Sequence, residues 1–485
     1  MRILQVLHTF MPECVGGTEV HTYQLARDLR SRHEVAVLYR SYAPDQPDLA
    51  LIESSYEGIP VYRLINNNPW KAGPLFWHLA PEAERPFLEA LDRFQPDLVH
   101  FQHLSAGLSS SFVRLAAERG LPTVMTLHDY YCLCPYSQLL TRDGELCHGP
   151  EGGLRCLRCH PPHLYTPPVL QALPLLRAEI ARSGWRRTIA RLPAYLLARL
   201  LWPYLQGRVS SIDTDTPLRL GYAARDRYFR QLLDIPDAIL SPSAFLRRTF
   251  ELWGLPPHRI IHVRNGVETE GLVRPRVPAG TKLRLVYIGA IQADKGLDVL
   301  VEAMQRLAAE PVELRIYGND RLWPETIQYA DSLRRKAEGA QVTFMGPLPH
   351  ERVGEVLATA DALVLPAVRY ENCPISILEA LYARVPVITS NLGGMAELVE
   401  DGRTGLLFRP GDAGHLAVKI ADLAAHPELG ERLRQGERRV ATTVEVSRKI
   451  EGIYERLFEL RRQGLWGAEA QQALAAWFAG REEEP

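Results

Sequence analysis

Glu371 and Glu379 stand eight residues apart in the stretch Arg369-Tyr-Glu-Asn-Cys-Pro-Ile-Ser-Ile-Leu-Glu-Ala-Leu-Tyr-Ala-Arg-Val-Pro386. Pro374 suits the first turn of a helix, and Ile377, Leu378 and Leu381 form the apolar face of the helix predicted over 375–383. Eight residues of helix rise roughly 12 Å. Two carboxylates that far apart do not share a proton or flank one bond as a tight pair. They suit the two ends of one elongated ligand, with the helix-start N–H groups near Pro374–Ser376 between them for an anion. A plain buried helix with a glutamate at each end accounts for the same spacing.

Other residues point to phosphate or to metal. Gly16-Gly17 precedes a helix predicted over 20–30, with Thr18 as its cap, and lets the backbone approach an oxygen-rich group. Gly289-Ala-Ile-Gln-Ala-Asp-Lys-Gly296 has glycines at both ends, and Lys295 is a compact cation for phosphate. His103 and His128-Asp129 fall just past predicted strand ends. Five of the seven cysteines lie within 28 residues, from Cys132 to Cys159. Cys156 and Cys159 have the C-x2-C spacing of a tetrahedral metal site, which Cys134 and Cys147 could complete, with His148 or His160 as substitutes. A structural zinc and a set of reduced thiols both fit that pattern.

The totals exclude several classes. At 485 residues the chain has room for two large domains or three smaller ones. A formal net charge of −1 offers no basic surplus for nucleic acid. The N-terminus turns polar too soon for a signal peptide, and no apolar run reaches the ~18 residues of a membrane span. An odd number of cysteines without a leader predicts reduced thiols in a cytoplasm.

These residues need elements to hold them. Apolar runs predict strands over 2–7, 33–39, 61–65, 97–102 and 122–127, with helices over 81–94 and 109–119 between them. That alternation reads as a doubly wound parallel sheet, in which ligands sit beyond the carboxyl ends of the strands. The alternation stops over 161–234. Seven arginines lie between Arg177 and Arg208, among Trp185, Tyr195, Trp202 and several leucines, with Glu179 the sole acid. Such a segment suits peripheral contact with an anionic membrane or a lid packed on its own protein. The pattern resumes with a strand into the helix Ala244–Trp253 and a strand over 259–263 that the Asn265-Gly266 turn closes. A linker is predicted over 274–280. A second alternating run follows, with strands over 283–288, 312–317, 342–345, 362–365 and 385–389 and a helix over 297–308. A helix over 468–479 lies in the tail.

The order Gly-Gly-x-Glu19, His128-Asp129, Asn265-Gly266, Lys295-Gly296, Glu371-x7-Glu379 and Gly393-Gly394-Met-Ala-Glu397 resembles the retaining GT-B glycosyltransferases of family 4. The resemblance runs from about residue 2 to residue 408, broken by the insertion. It implies two Rossmann-like doubly wound domains facing a central cleft: an acceptor domain over 1–270, carrying a Cys-rich loop at 130–160 and the helical insertion at about 161–234, a nucleotide-sugar donor domain over 281–440, and a helical tail over 441–485. It implies His128, Glu371 and Lys295 as catalytic residues. Gly16, Gly17, Gly289, Lys295, Glu371, Asn372, Ile375 and Glu379 would form the donor site, with Glu379 on the ribose and Glu371 on the sugar. The family's loop carries an arginine where this chain has Ala290, so another cation, Arg369, would have to take its place. The implied activity is transfer of a sugar from a nucleotide-diphosphate sugar to a glycan or lipid-linked acceptor, with no catalytic cofactor, in the cytoplasm or at the inner face of the membrane. A nucleotide-sugar epimerase of the same fold and a non-catalytic glycan-binding homologue are the alternatives.

Overall fold

The computed structural model describes residues 1–67, 75–105, 107–141, 143–159, 215–272, 282–320, 324–436 and 438–479. The arginine-rich stretch 177–208, His160 and the linker 274–280 lie outside them.

The first domain runs β1 (Arg2–Leu7), α1 (Gly17–Leu29), β2 (Glu34–Ser41), β3 (Leu51–Tyr56), β4 (Ile59–Ile65), α2 (Glu84–Phe94) and β5 (Leu98–Phe101). It continues with α3 (Phe112–Glu118), β6 (Thr123–Thr126), α4 (Asp215–Leu232), β7 (Ala238–Ser241), α5 (Ala244–Trp253) and β8 (Ile260–His262). Its eight strands lie in the order β3-β4-β2-β1-β5-β6-β7-β8, all parallel except the β3–β4 pair. Strand β3 is a finding beyond the expected pattern. Its residues are half-buried or exposed, so no continuous apolar run marks it. It is a hairpin arm closed by Glu57 and Gly58, both at positive φ (46° and 77°), as a two-residue primed turn requires. Helix α4 likewise occupies part of 161–234, where no alternation was legible.

The second domain runs β9 (Leu283–Ile288), α6 (Leu297–Arg306), β10 (Val312–Tyr317), α7 (Pro324–Lys336), β11 (Val342–Gly346), α8 (Val353–Ala358) and β12 (Ala362–Leu365). Then come α9 (Ile375–Tyr382), β13 (Val387–Ser390), α10 (Gly393–Leu398), β14 (Gly405–Phe408), α11 (Ala413–Ala425) and α12 (Pro427–Gln435). Its parallel six-stranded sheet has the order β11-β10-β9-β12-β13-β14.

The chain then returns to the first domain as α13 (Thr443–Arg462) and α14 (Gly467–Ala479). At the crossing, the Val267 N–H donates to the Ala441 carbonyl at 3.0 Å and the Thr443 N–H to the Val267 carbonyl at 2.9 Å. One face of the first sheet packs α2, α3, α4 and α5 through Phe87, Phe112, Phe229 and Phe250. The other face packs α1 with the returning pair, through Leu25, Ile450, Ile453, Tyr454, Leu474 and Phe478. The returning pair is anchored at Asp237, which is 1% exposed and takes the Arg461 guanidinium at 2.6 Å and the Gly467 N–H at 2.8 Å. Among the described residues no helix is long and apolar enough to cross a membrane.

Strand order reverses between β1 and β5 in one sheet and between β9 and β12 in the other. A ligand crevice is expected beyond the carboxyl ends of the strands at those two points.

Candidate active site

The predicted donor and transfer residues all follow strands, and all but His128 follow a strand at one of those reversals. Gly16 and Gly17 follow β1, His103 follows β5 and His128 follows β6. Gly289 and Lys295 follow β9, and Glu371, Asn372, Ile375 and Glu379 follow β12.

Lys295 ends a 3-10 turn that Gly296 closes at φ +70°, and a Cβ on Gly296 would stand 2.1 Å from the Pro366 carbonyl oxygen. Only glycine therefore lets the loop after β9 cross the loop after β12. The crossing brings Lys295 Nζ to 2.7 Å from Glu371 Oε1. Arg369 Nε donates to the same oxygen at 2.7 Å, and its Nη1 donates to Asp294 Oδ2 at 2.6 Å. Two cations and two carboxylates thus close on one another. Burial alone would push the Glu371 carboxyl up, but the Arg369 and Lys295 charges hold it down at about 2. Burial and the neighbouring Arg369 charge lower Lys295. The sequence pattern singled out Lys295 and Glu371 and suggested Arg369. Asp294 went unnoticed, for nothing in its spacing marks it.

Glu379 is a different kind of carboxylate. It lies in α9, 4% exposed, and burial pushes it up to about 8. His350 Nδ1 is 3.5 Å from its Oε1. Burial lowers His350, and Gln24 of α1 meets its Nε2 at 3.3 Å, which ties Glu379 to the seam between the domains.

Asn372 spans that seam. Its Nδ2 donates to the His128 carbonyl at 2.7 Å, and its Oδ1 accepts the Tyr130 hydroxyl at 2.7 Å. Helix α10 is packed directly behind it: a Cβ on Gly394 would stand 1.6 Å from the Asn372 carbonyl oxygen, and the Gly394 N–H donates to the Glu371 carbonyl at 2.7 Å. The Pro374 cap leaves the start of α9 without a side-chain cap. Across the seam, Glu397 accepts the Ala244 and Phe245 N–H groups at 3.0 and 2.8 Å and so caps α5 of the first domain.

On the first-domain side, His128 Nε2 meets Gln102 Oε1 at 2.7 Å, and burial holds the imidazole neutral, well below its usual range. His103 Nε2 lies 2.7 Å from Asp129 Oδ2. Burial opposes its protonation, but the Asp129 charge and hydrogen bond outweigh it and raise His103. Gly16, not Thr18, caps α1, and the helix starts at Gly17. The backbone there is already in place for the helix, so the threonine falls inside the first turn. A Cβ on Gly16 would meet Glu19 Oε2 at 2.7 Å, whereas one on Gly17 would meet nothing within 4 Å. Glu19 is itself buried, taking the Thr9 hydroxyl at 2.5 Å. The Gly17 backbone is therefore the part of this loop with room in front of it.

Cys134, Cys147, Cys156 and Cys159 line one small hollow with Leu133, Tyr136 and Leu139. The loop does gather the four. Among the described residues, however, no three His, Cys, Asp or Glu side chains stand where they could hold one metal ion. His160, the alternative ligand of the C-x2-C reading, lies outside those residues. Burial pushes the Cys156 thiol up to about 12, the direction of a neutral thiol.

With this geometry in hand, comparison with known proteins is specific. Residues 15–148 match the family described as Glycosyltransferase Family 4, and residues 282–426 match Glycosyl transferases group 1. Sucrose-phosphate synthase from Thermosynechococcus elongatus superimposes with a TM-score of 0.62 at 18% identity, covering 94% of this chain and 99% of that one. The catalytic domain of starch synthase IV from Arabidopsis thaliana, bound to ADP and acarbose, does so at 0.57 and 14%, covering 94% and 99%. The fold is GT-B, and both family models that match are glycosyltransferase models. Among curated relatives of this GT-B chain, glycogen synthase of Mycobacterium tuberculosis is 28% identical over 213 residues, 43% of this chain and 50% of that one. Alpha-maltose-1-phosphate synthase of Mycolicibacterium smegmatis is 31% identical over 236 residues, 43% and 59%. The chain thus spans about half the length of the curated relatives it matches. In the GT-B frame, the cleft faces of the two domains are the two crevices described above, joined through Asn372.

Proposed function

We propose that this protein is a retaining glycosyltransferase of the family 4 type. It would move a sugar from a nucleotide-diphosphate sugar to a glycan or lipid-linked acceptor without a catalytic metal. The observation that carries this reading is the 2.7 Å bond from Asn372 to the His128 carbonyl, which holds the loop of Glu371, and with it Lys295, against the loop of His128. Support for the donor class comes from solved structures of the same fold, such as HepE of Anabaena in complex with UDP-glucose.

In the proposed reaction the bond between the anomeric carbon and the β-phosphate oxygen breaks. The acceptor hydroxyl oxygen bonds to that carbon on the face the phosphate leaves, and its proton passes to the departing phosphate oxygen. The products are the glycoside and the nucleoside diphosphate. Lys295, Arg369 in place of an arginine at position 290, the Gly17 amide and the first amides of α9 stabilise the leaving charge. Glu379 holds the ribose hydroxyls, Glu371 the sugar hydroxyls, and His128 positions the sugar. Donor binding must draw Lys295 away from Glu371, because one oxygen now occupies the ammonium group. Lys295→Ala should weaken donor binding by about tenfold or more, the scale of a charge-assisted contact. Binding is read by calorimetry with a panel of UDP-, GDP- and ADP-sugars. Product analysis separates transfer from epimerisation, since only transfer yields a new glycoside. Wild-type donor affinity in Lys295→Ala sinks the assignment. For a lipid-linked acceptor we place the enzyme at the cytoplasmic face of a membrane through 177–208, and failure to sediment with acidic-lipid vesicles removes that placement.

A further inference from the structure

Strand β1 is central and apolar, yet Gln5 sits fully buried in its middle. Strand β5 carries His100, also fully buried, and Gln102, 1% exposed, just past its end. The register sets Gln5 beside His100, and His100 beside Val124, two residues before Thr126. Alternate residues share a face, so Gln5, His100, Gln102, Thr126 and His128 form a polar ladder up one face of three adjacent strands. The rest of that face is packed by α1, α13 and α14. Polar side chains so buried cost stability unless each is hydrogen-bonded.

The ladder is bonded, and its bonds run one way. Tyr454 of α13, fully buried, closes its lower end. Gln5 Nε2 donates to the Tyr454 hydroxyl at 3.4 Å, so the phenol proton goes to His100 Nδ1 at 2.7 Å. His100 then carries its own proton on Nε2, 2.7 Å from Thr126 Oγ1. With its nitrogen committed to Tyr454, Gln5 turns Oε1 to Gln102 Nε2 at 2.9 Å. Gln102 therefore presents Oε1, an acceptor only, to His128 Nε2 at 2.7 Å. An acceptor there requires the proton on His128 Nε2 and leaves Nδ1 as a lone pair. Reversing the ladder would turn both amides and move the His128 proton to Nδ1.

We infer that Tyr454, on the helix that returns from the second domain, is a positioning residue for His128. Through Gln5 and Gln102 it fixes the tautomer in which Nδ1 accepts a hydrogen bond from a hydroxyl of the bound sugar. This rests on the proposed role of His128 in transfer. It also gives the return of α13 to the first domain a task beyond covering the sheet.

The test uses the full chain with 15N-labelled histidine, the His128 signals being identified by their loss in His128→Gln. Wild type should show one neutral tautomer with the proton on Nε2. Tyr454→Phe keeps the ring and the packing but removes the hydroxyl. It should give a mixed tautomer, and kcat for nucleoside diphosphate release should fall about tenfold with donor KM unchanged. Adding Gln102→Glu to Tyr454→Phe should restore the Nε2 proton, because a carboxylate can only accept. A purely structural role for the hydroxyl would not be rescued that way. A wild-type tautomer in Tyr454→Phe overturns the inference, as does a changed tautomer with unchanged kcat. A wild-type rate in His128→Ala overturns the reading of the site instead, whatever the imidazole signals show.

Discussion

The two glutamates that bracket the proposed donor site should titrate in opposite senses, and Glu379 gives the sharper test. Burial pushes it up to about 8, and burial lowers the neighbouring His350, favouring its neutral form. At pH 7 only about a tenth of Glu379 is ionised. A ribose presents hydroxyl donors to the carboxylate, so the nucleotide sugar should select the ionised form and expel a proton. The apparent dissociation constant then scales with 1 + 10^(pKa − pH). Affinity should rise about 50-fold, or ~2.3 kcal/mol, between pH 6 and pH 8 and flatten above. Calorimetry from pH 6 to 9, in two buffers of different ionisation enthalpy, should count about one proton released at pH 6. Glu379→Gln should bind more weakly at pH 8 and lose both the slope and the proton. Stability moves the other way. The folded chain holds a proton that the unfolded chain releases from about 4.5 upward, so this contribution is complete below pH 4.5 and lost as pH rises through 8, a span of about 5 kcal/mol. Glu379→Gln should therefore gain on wild type in urea at pH 9 and not at pH 5. A flat donor affinity in wild type, or an equal slope in Glu379→Gln, refutes the reasoning.

The remaining predictions are structural. Arg461→Ala leaves Asp237, 1% exposed, without its guanidinium partner and should cost about 3–5 kcal/mol in urea unfolding; a loss under 1 kcal/mol would mean that α13 does not depend on this anchor. Purified protein treated with a thiol-reactive reagent should release no zinc, since the four cysteines of the hollow are not set for an ion; one equivalent released would show that they draw together on metal.

Much of the fold was legible because its strands are continuous apolar runs bounded by turn residues. Strands 283–288, 312–317 and 362–365 fall where their apolar runs place them. Antiparallel β3 was not legible, because an edge strand with one face in water carries no such run. The candidate site was legible through residue groups set just past predicted strand ends: a glycine pair, a lysine in a loop bounded by glycines, a His-Asp pair. What could not be read was partnership. Nothing in the spacing says that Arg369 and Lys295 share one oxygen of Glu371, or that Asn372 bonds to the far domain. Those contacts exist only because two loops cross at Gly296 and because the Asn372 loop meets the His128 loop of the other domain, and both meetings are long-range. The ladder below His128 lies between these cases. A glutamine or histidine in a buried central strand is visible in sequence, but its direction becomes readable only once Tyr454 is placed.

The self-neutralised cluster explains how so dense a charge site can be buried. Lys295 and Arg369 against Glu371 and Asp294 sum to no net charge in a buried place, where an unpaired ion would be costly. A diphosphate entering there brings two negative charges and competes with Glu371 for Lys295. The Glu371 carboxylate then keeps Arg369 but has lost one donor, and the hydroxyls of the attached sugar are the donors that arrive with that diphosphate. A nucleoside diphosphate lacking the sugar offers the first half of the exchange and not the second. On the proposed function, the Lys295–Glu371 pair would favour the intact donor over the spent one, and product release would gain from Glu371 returning to Lys295.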